Sequence, residues 1–555
     1  MKEWTVGEIL DAVAGAVPDR EMTICGTRRT TFAESAVRTQ HLANYLTSRG
    51  LGVHTAHDQL DRWECGQDRV ALIMHNDQYV DAFVGCLRGR VIPVNINHHY
   101  SPREITALLE HVQPSGVIFH RSLAHLIVES TLPTGVEVLV AVEDSDGPAV
   151  PGAVSLDEAL SIGADATPAV PSPDDLVMVC TGGTTGLPKG VLWRQADAYI
   201  STMTGMEHES AEALVEFIPE TGEAFFAVSP LMHAAGMSTA LSAVVAGRTA
   251  VLFDNRGRFD PRAVLEAAER EKVRILTIVG DAYAGPLIAE LRTRSYDLSS
   301  LIGIGSGGAA INPRHKSELL ELLPHIVILD TFGSSETGGM ATSPTMTDSP
   351  AETFVMHPSG RVVSEDRTRF LESGDDELGW IARTGRVPLG YFNDPEATVR
   401  TFPEIDGVRV SIPGDRARLE ADGSLRLHGR DSLVINSGGE KIFVEEVEEI
   451  LRGHPVVVDA LVVGRPSARW GTEVVAVVAV DPAGDLTVDE LRAFAASHLA
   501  RFKVPKEIIV VDKVERLANG KADYRWAKAT AHRNPDSVDT SGSAADGEPA
   551  VAAST

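Results

Sequence analysis

The sequence has little cysteine and a deficit of positive charge. Its four cysteines, Cys25, Cys65, Cys86 and Cys180, lie far apart and form no C-x-x-C pair. This spacing excludes an obvious zinc or redox motif and is typical of a protein of the reducing cytoplasm. With 50 Lys and Arg against 78 Asp and Glu, the formal net charge is −28. Such a charge argues against non-specific nucleic-acid binding, so an anionic ligand must find a local basic site.

Long apolar runs and targeting segments are missing as well. The N-terminal stretch MKEWTVGEILDAVAGAVPDR is charged and amphipathic and has no cleavage site, unlike a signal peptide. The apolar run 238-STALSAVVAG-247 ends at Arg248 and falls short of the roughly 18 residues that a membrane span requires. We therefore expect no integral membrane segment and a cytoplasmic location.

The chain instead alternates short apolar, β-branched runs with helical patterns. Its 555 residues are too many for one core, which predicts two to four folding units. Strand, helix and strand in succession predict an α/β fold with largely parallel sheets. The predicted strands are 69-RVALIM-74, 116-GVIFH-120, 137-EVLVAV-142, 176-LVMVC-180, 273-VRILTIVG-280 and 325-HIVILD-330. The predicted helices include 103-REITALLEHV-112, 262-RAVLEAAEREK-272 and 314-RHKSELLELL-323.

The pattern changes near residue 430. A helix, two strands, a helix and a strand follow in about a hundred residues, which predicts a separate α+β domain. We expect domains at 1–431 and 432–531 and a disordered tail at 532–555, which is rich in Ser, Ala, Asp, Gly and Pro. The insert 53-VHTAHDQLDRWECGQDRV-70 predicts a surface loop with a short helix.

The stretch 181-TGGTTGLPKGV-191 combines glycines, threonine hydroxyls and a single lysine. Bare backbone N–H groups and hydroxyls wrap an anion that a lysine neutralises, so the stretch predicts a phosphate-binding loop. It does not fit the G-x-x-x-x-G-K-[ST] loop, because Gly190 follows Lys189 where a magnesium-binding hydroxyl should stand. Taken alone, the stretch also suits a tight glycine turn after a strand.

Together with the motifs that follow it, this loop resembles the phosphate-binding loop of the adenylate-forming enzymes, the superfamily of acyl-CoA synthetases, luciferases and peptide-synthetase adenylation domains. The resemblance implies a large N-terminal adenylating domain of stacked α/β sheets with a β-barrel-like subdomain, and a small mobile α+β C-terminal domain. It also implies that the loop binds ATP and that Thr185 takes part in catalysis. The implied loop residues are Thr181, Gly182, Gly183, Thr184, Thr185 and Lys189.

A second stretch, 330-DTFGSSETGG-339, looks like the superfamily's aromatic-Gly-x-Thr/Ser-Glu motif. By that resemblance Glu336 is a catalytic residue that holds the Mg²⁺ bridging the ATP phosphates, and carboxylate oxygen suits this hard cation. Ser335 then contacts the α-phosphate, Phe332 packs beside the adenine and acyl sites, and Asp330 accepts from the adenine amino group. Taken alone, an acid after two serines is more typical of a helix N-terminus.

The stretch 303-GIGSGGAA-310 imitates the G-x-G-x-x-G dinucleotide fingerprint. A dinucleotide motif continues directly into a helix, whereas here three residues intervene before Asn312 and Pro313, which fit an N-cap and a first helical residue. We therefore reject the dinucleotide interpretation. In the resembled superfamily, small residues here line one face of the adenine and leave room for a flat ring: Gly308, Ala309 and Ala310.

His233 follows an apolar run and precedes small residues in 229-SPLMHAAG-236. A single His in such a place is more often a packed or capping side chain than a catalyst. In acyl-CoA synthetases a His or aromatic residue here borders the substrate carboxylate and moves between the two half-reactions. The resemblance implies that catalytic role for His233.

The stretch 411–441 looks like the superfamily's ribose clamp, hinge and CoA loop. By that resemblance Asp415 accepts from both ribose hydroxyls, for which a carboxylate is suited, and Arg430 reaches the same ribose. The implied hinge is Ser432, where Asp or Lys is usual, so a small polar pivot is kept and a charge is lost. The implied CoA-binding residues are Ser437, Gly438, Gly439, Glu440 and Lys441.

The stretch 515-ERLANGKADYR-525 resembles the C-terminal catalytic-lysine motif, although the usual proline is missing. Lys521 is the implied catalytic lysine, which stabilises the charge that develops as a carboxylate attacks the α-phosphorus. The resemblance covers roughly residues 5–530. Four stretches look like those of actinobacterial acyl-CoA synthetases for fatty acids and steroid side chains: 280-GDAYAGPL-287, 296-YDLSSL-301, 435-INSGGEK-441 and 523-DYRWAK-528.

These motifs predict an AMP-forming ligase that converts a carboxylate and MgATP into an acyl-adenylate and pyrophosphate and then transfers the acyl group to CoA. Two alternatives within the fold stay open: loading of a carrier protein, and ATP-dependent activation of nitrite to diazotise an aryl amine in natural-product biosynthesis. An inactive binding module is disfavoured because the residues of the implied site are all present: Lys189, Glu336, Asp415, Arg430 and Lys521. The acyl substrate and the oligomeric state, a homodimer included, also stay open.

Overall fold

The structure is a computed structural model that describes residues 2–181, 188–347, 353–430, 433–437, 440–467, 471–482, 484, 486–517 and 520–532, with residues 181, 430, 436, 440, 441 and 471 described by their backbone alone. Internal contacts divide the chain into a large unit, Met1–Ser432 with Arg516–Lys521, and a small unit, Leu433–Glu515 with Ala522–Thr555. The predicted α/β class, with a large N-terminal and a small C-terminal domain, is confirmed. The short segment that carries Lys521 groups with the large unit.

The large unit consists of helices and strands that alternate over most of its length. Its helices are α1 (Val6–Ala16), α2 (Phe32–Ser48), α3 (Tyr79–Arg88), α4 (Pro102–Val112), α5 (Ala124–Glu129), α6 (Leu156–Ala164), α7 (Gln195–Thr202), α8 (Ala211–Val215), α9 (Ala234–Val245), α10 (Pro261–Arg270), α11 (Asp281–Thr293), α12 (Pro313–Leu322) and α13 (Pro395–Thr401). Its strands are β1 (Glu21–Cys25), β2 (Arg28–Thr31), β3 (Arg69–Ile73), β4 (Ile92–Asn95), β5 (Gly116–His120), β6 (Val138–Val142), β7 (Val154–Ser155), β8 (Leu176–Thr181), β9 (Lys189–Arg194), β10 (Ala224–Ala227), β11 (Thr249–Leu252), β12 (Val273–Ile278), β13 (Gly303–Gly307), β14 (Val327–Ser334), β15 (Gly338–Thr345), β16 (Val355–Met356), β17 (Gly360–Val363), β18 (Gly379–Arg383), β19 (Gly390–Tyr391), β20 (Glu404–Ile405), β21 (Val408–Arg409), β22 (Asp415–Leu419) and β23 (Leu425–Arg430).

Two mixed sheets form the body of the large unit. One has the order β19-β9-β8-β4-β3-β5-β6-β7 and is parallel from β8 to β7. The other has the order β16-β15-β14-β13-β12-β10-β11-β1-β2 and is parallel from β14 to β1. The central strands are buried on both faces, as the run Val70 to Ile73 shows, which explains why the sequence reads as continuous apolar stretches there. A third, antiparallel sheet has the order β17-β18-β22-β23.

Local sequence fixes where many helices begin. Thr5, Thr31 and Ser101 each accept from the backbone N–H three residues on, and a Glu at that position reaches back to complete a capping box. Asn312 caps α12 and Pro313 is its first residue, as the sequence predicts. In the stretch 303-GIGSGGAA-310, residues Gly303–Gly307 form the strand β13 and not a turn that enters a helix. The rejection of a dinucleotide motif there is therefore confirmed.

The small unit contains the predicted order of helix, two strands, helix and strand. Its elements are β24 (Ile435–Ser437), β25 (Glu440–Ile442), α14 (Val444–Arg452), β26 (Val457–Ser467), β27 (Gly471–Val480), α15 (Val488–His498), β28 (Glu507–Val511) and α16 (Tyr524–Ala531). β26 and β27 are antiparallel, and β27 and β28 are parallel. Val447 and Leu451 of α14 pack with Val462 and Val478 in its core.

The insert between α2 and β3 is closed by one bridge between its two ends and contains one short helical turn. Val53 pairs with Gln67, and a single helical turn, His57–Gln59, lies between them. Within the part of the chain that the structure describes, none of the helices combines the length and the apolar character needed to cross a membrane.

Candidate active site

The predicted phosphate loop connects two antiparallel strands. β8 and β9 pair along their length, with Thr181 opposite Lys189. β8 runs parallel to β4, so the loop leaves the sheet at its carboxyl edge, where ligands bind in open α/β sheets. Gly182, Gly183, Thr184 and Thr185 lie outside the described residues.

Lys189 lies between a carboxylate and an aromatic ring. Its Nζ is 2.9 Å from Oδ2 of Asp394 and 4.8 Å from the ring centroid of Tyr391. Burial alone would raise the pKa of Asp394, but hydrogen bonds from Lys189 and from the N–H of Ala397 hold that pKa below its usual range. Asp394 is thus the counter-charge of the lysine predicted to meet the phosphates.

Tyr391 joins Lys189 to the second predicted phosphate-site residue, Glu336. The Tyr391 hydroxyl donates to Oε1 of Glu336 at 2.7 Å. Two residues 147 positions apart in the chain, Lys189 and Glu336, therefore contact opposite parts of one buried side chain. A cation and a carboxylate that contact the same side chain suit an ATP phosphate chain with its Mg²⁺, the first as a counter-charge and the second as a metal ligand.

Three side chains donate hydrogen bonds to the backbone carbonyls around Glu336. Trp193 Nε1 donates to the carbonyl of Ser335 at 2.9 Å, and Ser411 Oγ donates to the carbonyl of Glu336 at 2.7 Å. The buried guanidinium of Arg383 donates to the carbonyls of Thr337 and Gly339 at 2.5 and 2.9 Å. Burial lowers the pKa of Arg383 to about 10, so the side chain is still charged at neutral pH.

The predicted adenine wall begins where β13 ends. Gly308 has a φ of +85°, which an L side chain rarely adopts. Ser306 Oγ accepts from the N–H of Gly280 at 2.9 Å and donates to the carbonyl of Ala309 at 2.7 Å, which fixes the small-residue turn Gly308-Ala309-Ala310 against the start of α11. The turn thus exposes backbone and methyl groups, a surface suited to a flat ring.

Asp330 lies in β14 directly opposite Ser306 of β13. Its carboxylate is buried, pairs with Lys316 and accepts from the N–H of Ile311 at 3.2 Å. Burial raises the pKa of Asp330, and Lys316 opposes that shift. Phe332, two residues on, is half-buried with its ring 6.4 Å from that of Phe354.

His233 and Lys521 both belong to the large unit and interact electrostatically. His233 precedes α9, where its side chain makes no capping hydrogen bond, and its Nε2 is buried with no hydrogen-bond partner among the described residues. Burial, and to a smaller extent Lys521 and His99, lower the pKa of His233 to about 4, so the imidazole is neutral at pH 7. Lys521 Cε lies 3.5 Å from the position a Cβ on Gly308 would occupy. The predicted catalytic lysine thus borders the predicted adenine wall.

The predicted ribose residues face each other on neighbouring strands. Asp415 begins β22, Arg430 ends β23, and the two are paired in the antiparallel register. Asp415 is buried, and only the backbone of Arg430 is described. Ser432 lies outside the described residues.

The predicted CoA loop lies in the small unit. Ser437 is buried at the end of β24 and pairs with Glu440 of β25, and Lys441 follows in that strand. Gly438 and Gly439, which connect these strands, lie outside the described residues.

Among the described residues, no group of three or more His, Cys, Asp and Glu side chains is arranged to hold a metal ion. Glu336 as a single carboxylate ligand nevertheless fits Mg²⁺, which keeps several waters and substrate phosphates as its other ligands.

Sequence reasoning missed Tyr391, Asp394 and Arg383. Tyr391 reaches the site because β19 pairs with β9, which places it opposite Val191, two residues after Lys189. Asp394 precedes Pro395 and caps α13, and that Asp-Pro pair was the available sequence signal for a helix start. Arg383 carries no local signal, because its partners are backbone carbonyls more than 40 residues away.

Comparison with known proteins gives two family matches and full-length relatives. The family described as AMP-binding enzyme matches residues 10–379, and the AMP-binding enzyme C-terminal domain matches residues 446–521. The medium-chain acyl-CoA ligase Mig of Mycobacterium avium is 42% identical over 541 residues, covering 95% of this chain and 98% of that protein. The 3-oxocholest-4-en-26-oate–CoA ligase of Rhodococcus rhodochrous is 34% identical over 574 residues, covering 98% of this chain and 99% of that protein.

A solved structure shows the same fold. The benzoate CoA ligase of Burkholderia xenovorans LB400 superposes with a TM-score of 0.75 at 20% identity, covering 95% of this chain and 100% of that one.

Proposed function

The chain belongs to the family of AMP-binding enzymes, and from that membership we propose that it is an ATP-dependent acyl-CoA synthetase. It joins a carboxylate to AMP with release of pyrophosphate and then transfers the acyl group to the thiol of CoA with release of AMP. The observation that carries the adenylating step is that Lys189 and Glu336 both contact Tyr391, Lys189 at the ring and Glu336 at the hydroxyl. The choice of CoA as acceptor rests on the two named ligases, which align with 95% and 98% of the chain.

In the first half-reaction two anions must approach each other, and positive charge offsets their repulsion. Lys189 exchanges Asp394 for the phosphates, and Lys521 stabilises the charge that develops as the carboxylate oxygen attacks the α-phosphorus and pyrophosphate departs. Mg²⁺ held by Glu336 would supply further neutralisation of the phosphate charge. The threonine loop 181–185 and Ser335 position the phosphates, and neutral His233 borders the carboxylate without adding charge.

The nucleoside is positioned by the remaining predicted residues. Gly308, Ala309 and Ala310 line one face of the adenine, Phe332 packs beside it, and Asp330 accepts from its amino group. Asp415 and Arg430 hold the ribose. The register that pairs Asp415 with Arg430 and Ser306 with Asp330 supports these roles.

For the second half-reaction we propose that domain 432–531 turns about Ser432, removes Lys521 and presents residues 437–441 to the CoA thiol. The division of internal contacts at Ser432 and Leu433 supports this hinge. The grouping of Arg516–Lys521 with the large unit supports a role for Lys521 in the first half-reaction.

The proposed substrates are medium- to long-chain fatty acids or steroids that carry a carboxylate on the side chain, since relatives carry names of those kinds. A cytoplasmic location is part of the proposal and agrees with four free cysteines. A homodimer stays a prediction.

Pyrophosphate release with MgATP, measured on a panel of short, long, aromatic and steroid acids with and without CoA, tests the proposal. We expect release with a carboxylate, a thioester by mass only when CoA is present, and loss of both in Glu336→Gln. One further arm contains nitrite and an aryl amine, and another a carrier protein. Turnover of nitrite with no carboxylate used, or acyl transfer to the carrier but not to CoA, would overturn the CoA proposal and leave the adenylating site in place.

A further inference from the structure

Histidines follow three neighbouring parallel strands at the carboxyl edge of one sheet. His75 comes after β3, His98 after β4, and His120 ends β5. The His75 ring lies 5.1 Å from the rings of both His98 and His120, and the His98 ring lies 4.5 Å from that of His99. These three buried rings therefore form a column at the edge where α/β sheets bind ligands, with exposed His99 at its end.

Hydrogen bonds fix the tautomers at the inner end of this column. Nδ1 of His120 accepts from the backbone N–H of His75 at 3.0 Å, so its Nε2–H donates to Asp77 at 2.8 Å. Ser122 Oγ donates to Asp144 at 2.8 Å, so it accepts from Nε2 of His75 at 3.1 Å. Nδ1 of His75 is thus a bare acceptor, and it is buried without a partner among the described residues.

His98 extends this set of unsatisfied atoms toward His233. It is 7% exposed, and neither ring nitrogen completes a hydrogen bond within the described part of the chain, although one lies near the carbonyl of Met74. The preceding strand is tied to the His233 segment, because Nδ2 of Asn95 donates to the carbonyls of Met232 and Cys180 at 2.7 and 3.0 Å. Buried polar atoms are nearly always hydrogen-bonded in native proteins. A group of orphan imidazole nitrogens in one place therefore points to a ligand.

The chemistry of these nitrogens restricts that ligand to an uncharged hydrogen-bonding group. Burial first, and the neighbouring histidines second, lower the pKa of His98 to about 3 and that of His75 to about 4, so both are neutral at pH 7. A metal ion is not indicated, because no group of three or more His, Cys, Asp and Glu side chains among the described residues is arranged to hold one, and Asp77 and Asp144 are both engaged by Arg256. A plain alkyl chain would leave the nitrogens unpaired.

We propose that His75, His98 and His233 form a polar subsite that binds a hydroxyl or keto oxygen carried on the chain of the carboxylate substrate. This proposal rests on the proposed acyl-CoA synthetase function and deepens it. A hydroxyl can donate to Nδ1 of His75 and accept from the N–H of neutral His98, whereas a keto oxygen can only accept from that N–H. The substrate class is therefore an oxygenated acid, selected over the unsubstituted acid of equal length.

The test compares kcat/KM for decanoate with kcat/KM for decanoates that carry one hydroxyl or keto group at successive carbons. In the wild type we expect at least one isomer to be preferred about tenfold over decanoate, which is one hydrogen bond of about 1.4 kcal/mol. His98→Phe keeps an aromatic ring against His75 and His99 but removes both nitrogens, and it should bring the preference to about one. His98→Gln restores hydrogen bonding and should recover part of the preference. His325→Phe, which alters a histidine bonded to the carbonyl of Leu298, should keep the wild-type preference.

Two results would overturn the subsite while the synthetase proposal stands: decanoate is used but no isomer is preferred more than about twofold, or the preference persists in His98→Phe. Absence of pyrophosphate release with every acid, oxygenated or not, would overturn both proposals. If His98→Phe does not fold, the wild-type preference and His98→Leu decide the question, because Leu also removes both nitrogens and a preference that it leaves unchanged contradicts the subsite.

Discussion

At the residue scale, Tyr391 connects the two charged residues of the proposed phosphate site. Its hydroxyl orients Glu336, its ring faces Lys189, and its own position follows from the pairing of β19 with β9. If Glu336 holds Mg²⁺ as proposed, Tyr391 acts by orienting that ligand, so its removal should change how the enzyme responds to Mg²⁺ more than how it binds the acid.

We expect Tyr391→Phe to lower kcat/KM for pyrophosphate release about tenfold and to raise the Mg²⁺ concentration needed for half-maximal activity, because a hydrogen bond to a carboxylate is worth roughly 1.5–3 kcal/mol. Titration of Mg²⁺ at fixed ATP measures both effects. Tyr296→Phe is the matched control, since that hydroxyl donates to Glu290 at 2.5 Å elsewhere in the large unit. An unchanged Mg²⁺ requirement in Tyr391→Phe would contradict the positioning role.

At the scale of single elements, the turn between β14 and β15 that carries Glu336 lies close to helix α7. Gly338 has a φ of +65°, and a Cβ on it would lie 2.1 Å from the carbonyl oxygen of Ser201. Gly339, the next residue, would place its Cβ with no atom within 4 Å. A side chain would therefore clash at Gly338 but would have room at the adjacent Gly339.

Gly338→Ala should lower the melting temperature by several degrees and reduce pyrophosphate release more than about tenfold, since the strained φ and the clash together cost roughly 2 kcal/mol or more. Gly339→Ala should melt within about one degree of the wild type. Thermal melts and activity assays on both variants measure this, and equal effects in the two would refute the close approach of the turn to Ser201.

The helix α14 of the small unit carries a buried acid. Glu448 accepts from the N–H of Val462 at 2.8 Å and from the hydroxyl of Tyr524 at 3.2 Å. Burial raises the pKa of Glu448 from 4.5 to about 8, and Arg452 only partly opposes this shift. The carboxyl group is therefore protonated in the folded chain at pH 7 and ionised in the unfolded chain.

The stabilisation from a pKa that is higher in the folded state is complete below the unfolded pKa and is lost as the pH rises through the folded pKa. For Glu448 that window runs from about 4.5 to about 8. We expect the melting temperature of the wild type to fall across this window and Glu448→Gln to flatten the fall. Melting curves from pH 5 to pH 8.5 measure it, with exposed Glu449→Gln as the control on the same helix. A slope that survives in Glu448→Gln would exclude this carboxyl group as its source.

At the scale of the whole molecule, the chain divides near Ser432, but the short segment Arg516–Lys521 groups with the large unit. Gly520 has a φ of +79°, and the N–H of Leu517 donates to the carbonyl of Lys521 at 2.9 Å. This grouping puts Lys521 near Gly308 and His233, which favours a role in only one of the two half-reactions.

We expect Lys521→Ala to slow acyl-adenylate formation about a hundredfold, as expected for loss of a charge that acts in the transition state. Thioester formation from a supplied acyl-adenylate and CoA should stay within about threefold of the wild type. Single-turnover measurements of each half-reaction test this, with exposed Lys528→Ala as the control. A similar loss in both half-reactions would contradict the assignment.

Much of the fold could be predicted from the sequence because its causes are local. Continuous apolar runs such as 69–74 predicted buried parallel strands, and Asn312 with Pro313 predicted the start of α12. The order of elements after residue 440 was also predicted, since each helix and strand there has its own hydrophobic period.

The candidate site was determined partly by the sequence and partly by the tertiary structure. The sequence by itself determined which residue types are available: a glycine- and threonine-rich loop with Lys189, an acid at 336, and a lysine at 521. Only the tertiary structure decided that Tyr391 contacts Glu336 across 55 residues, that Asp394 pairs with Lys189 across 205, and that histidines from three strands stack in one column. The reason is physical: local propensities act over a few residues, whereas these contacts exist only after strands distant in the chain have paired and brought their carboxyl edges together.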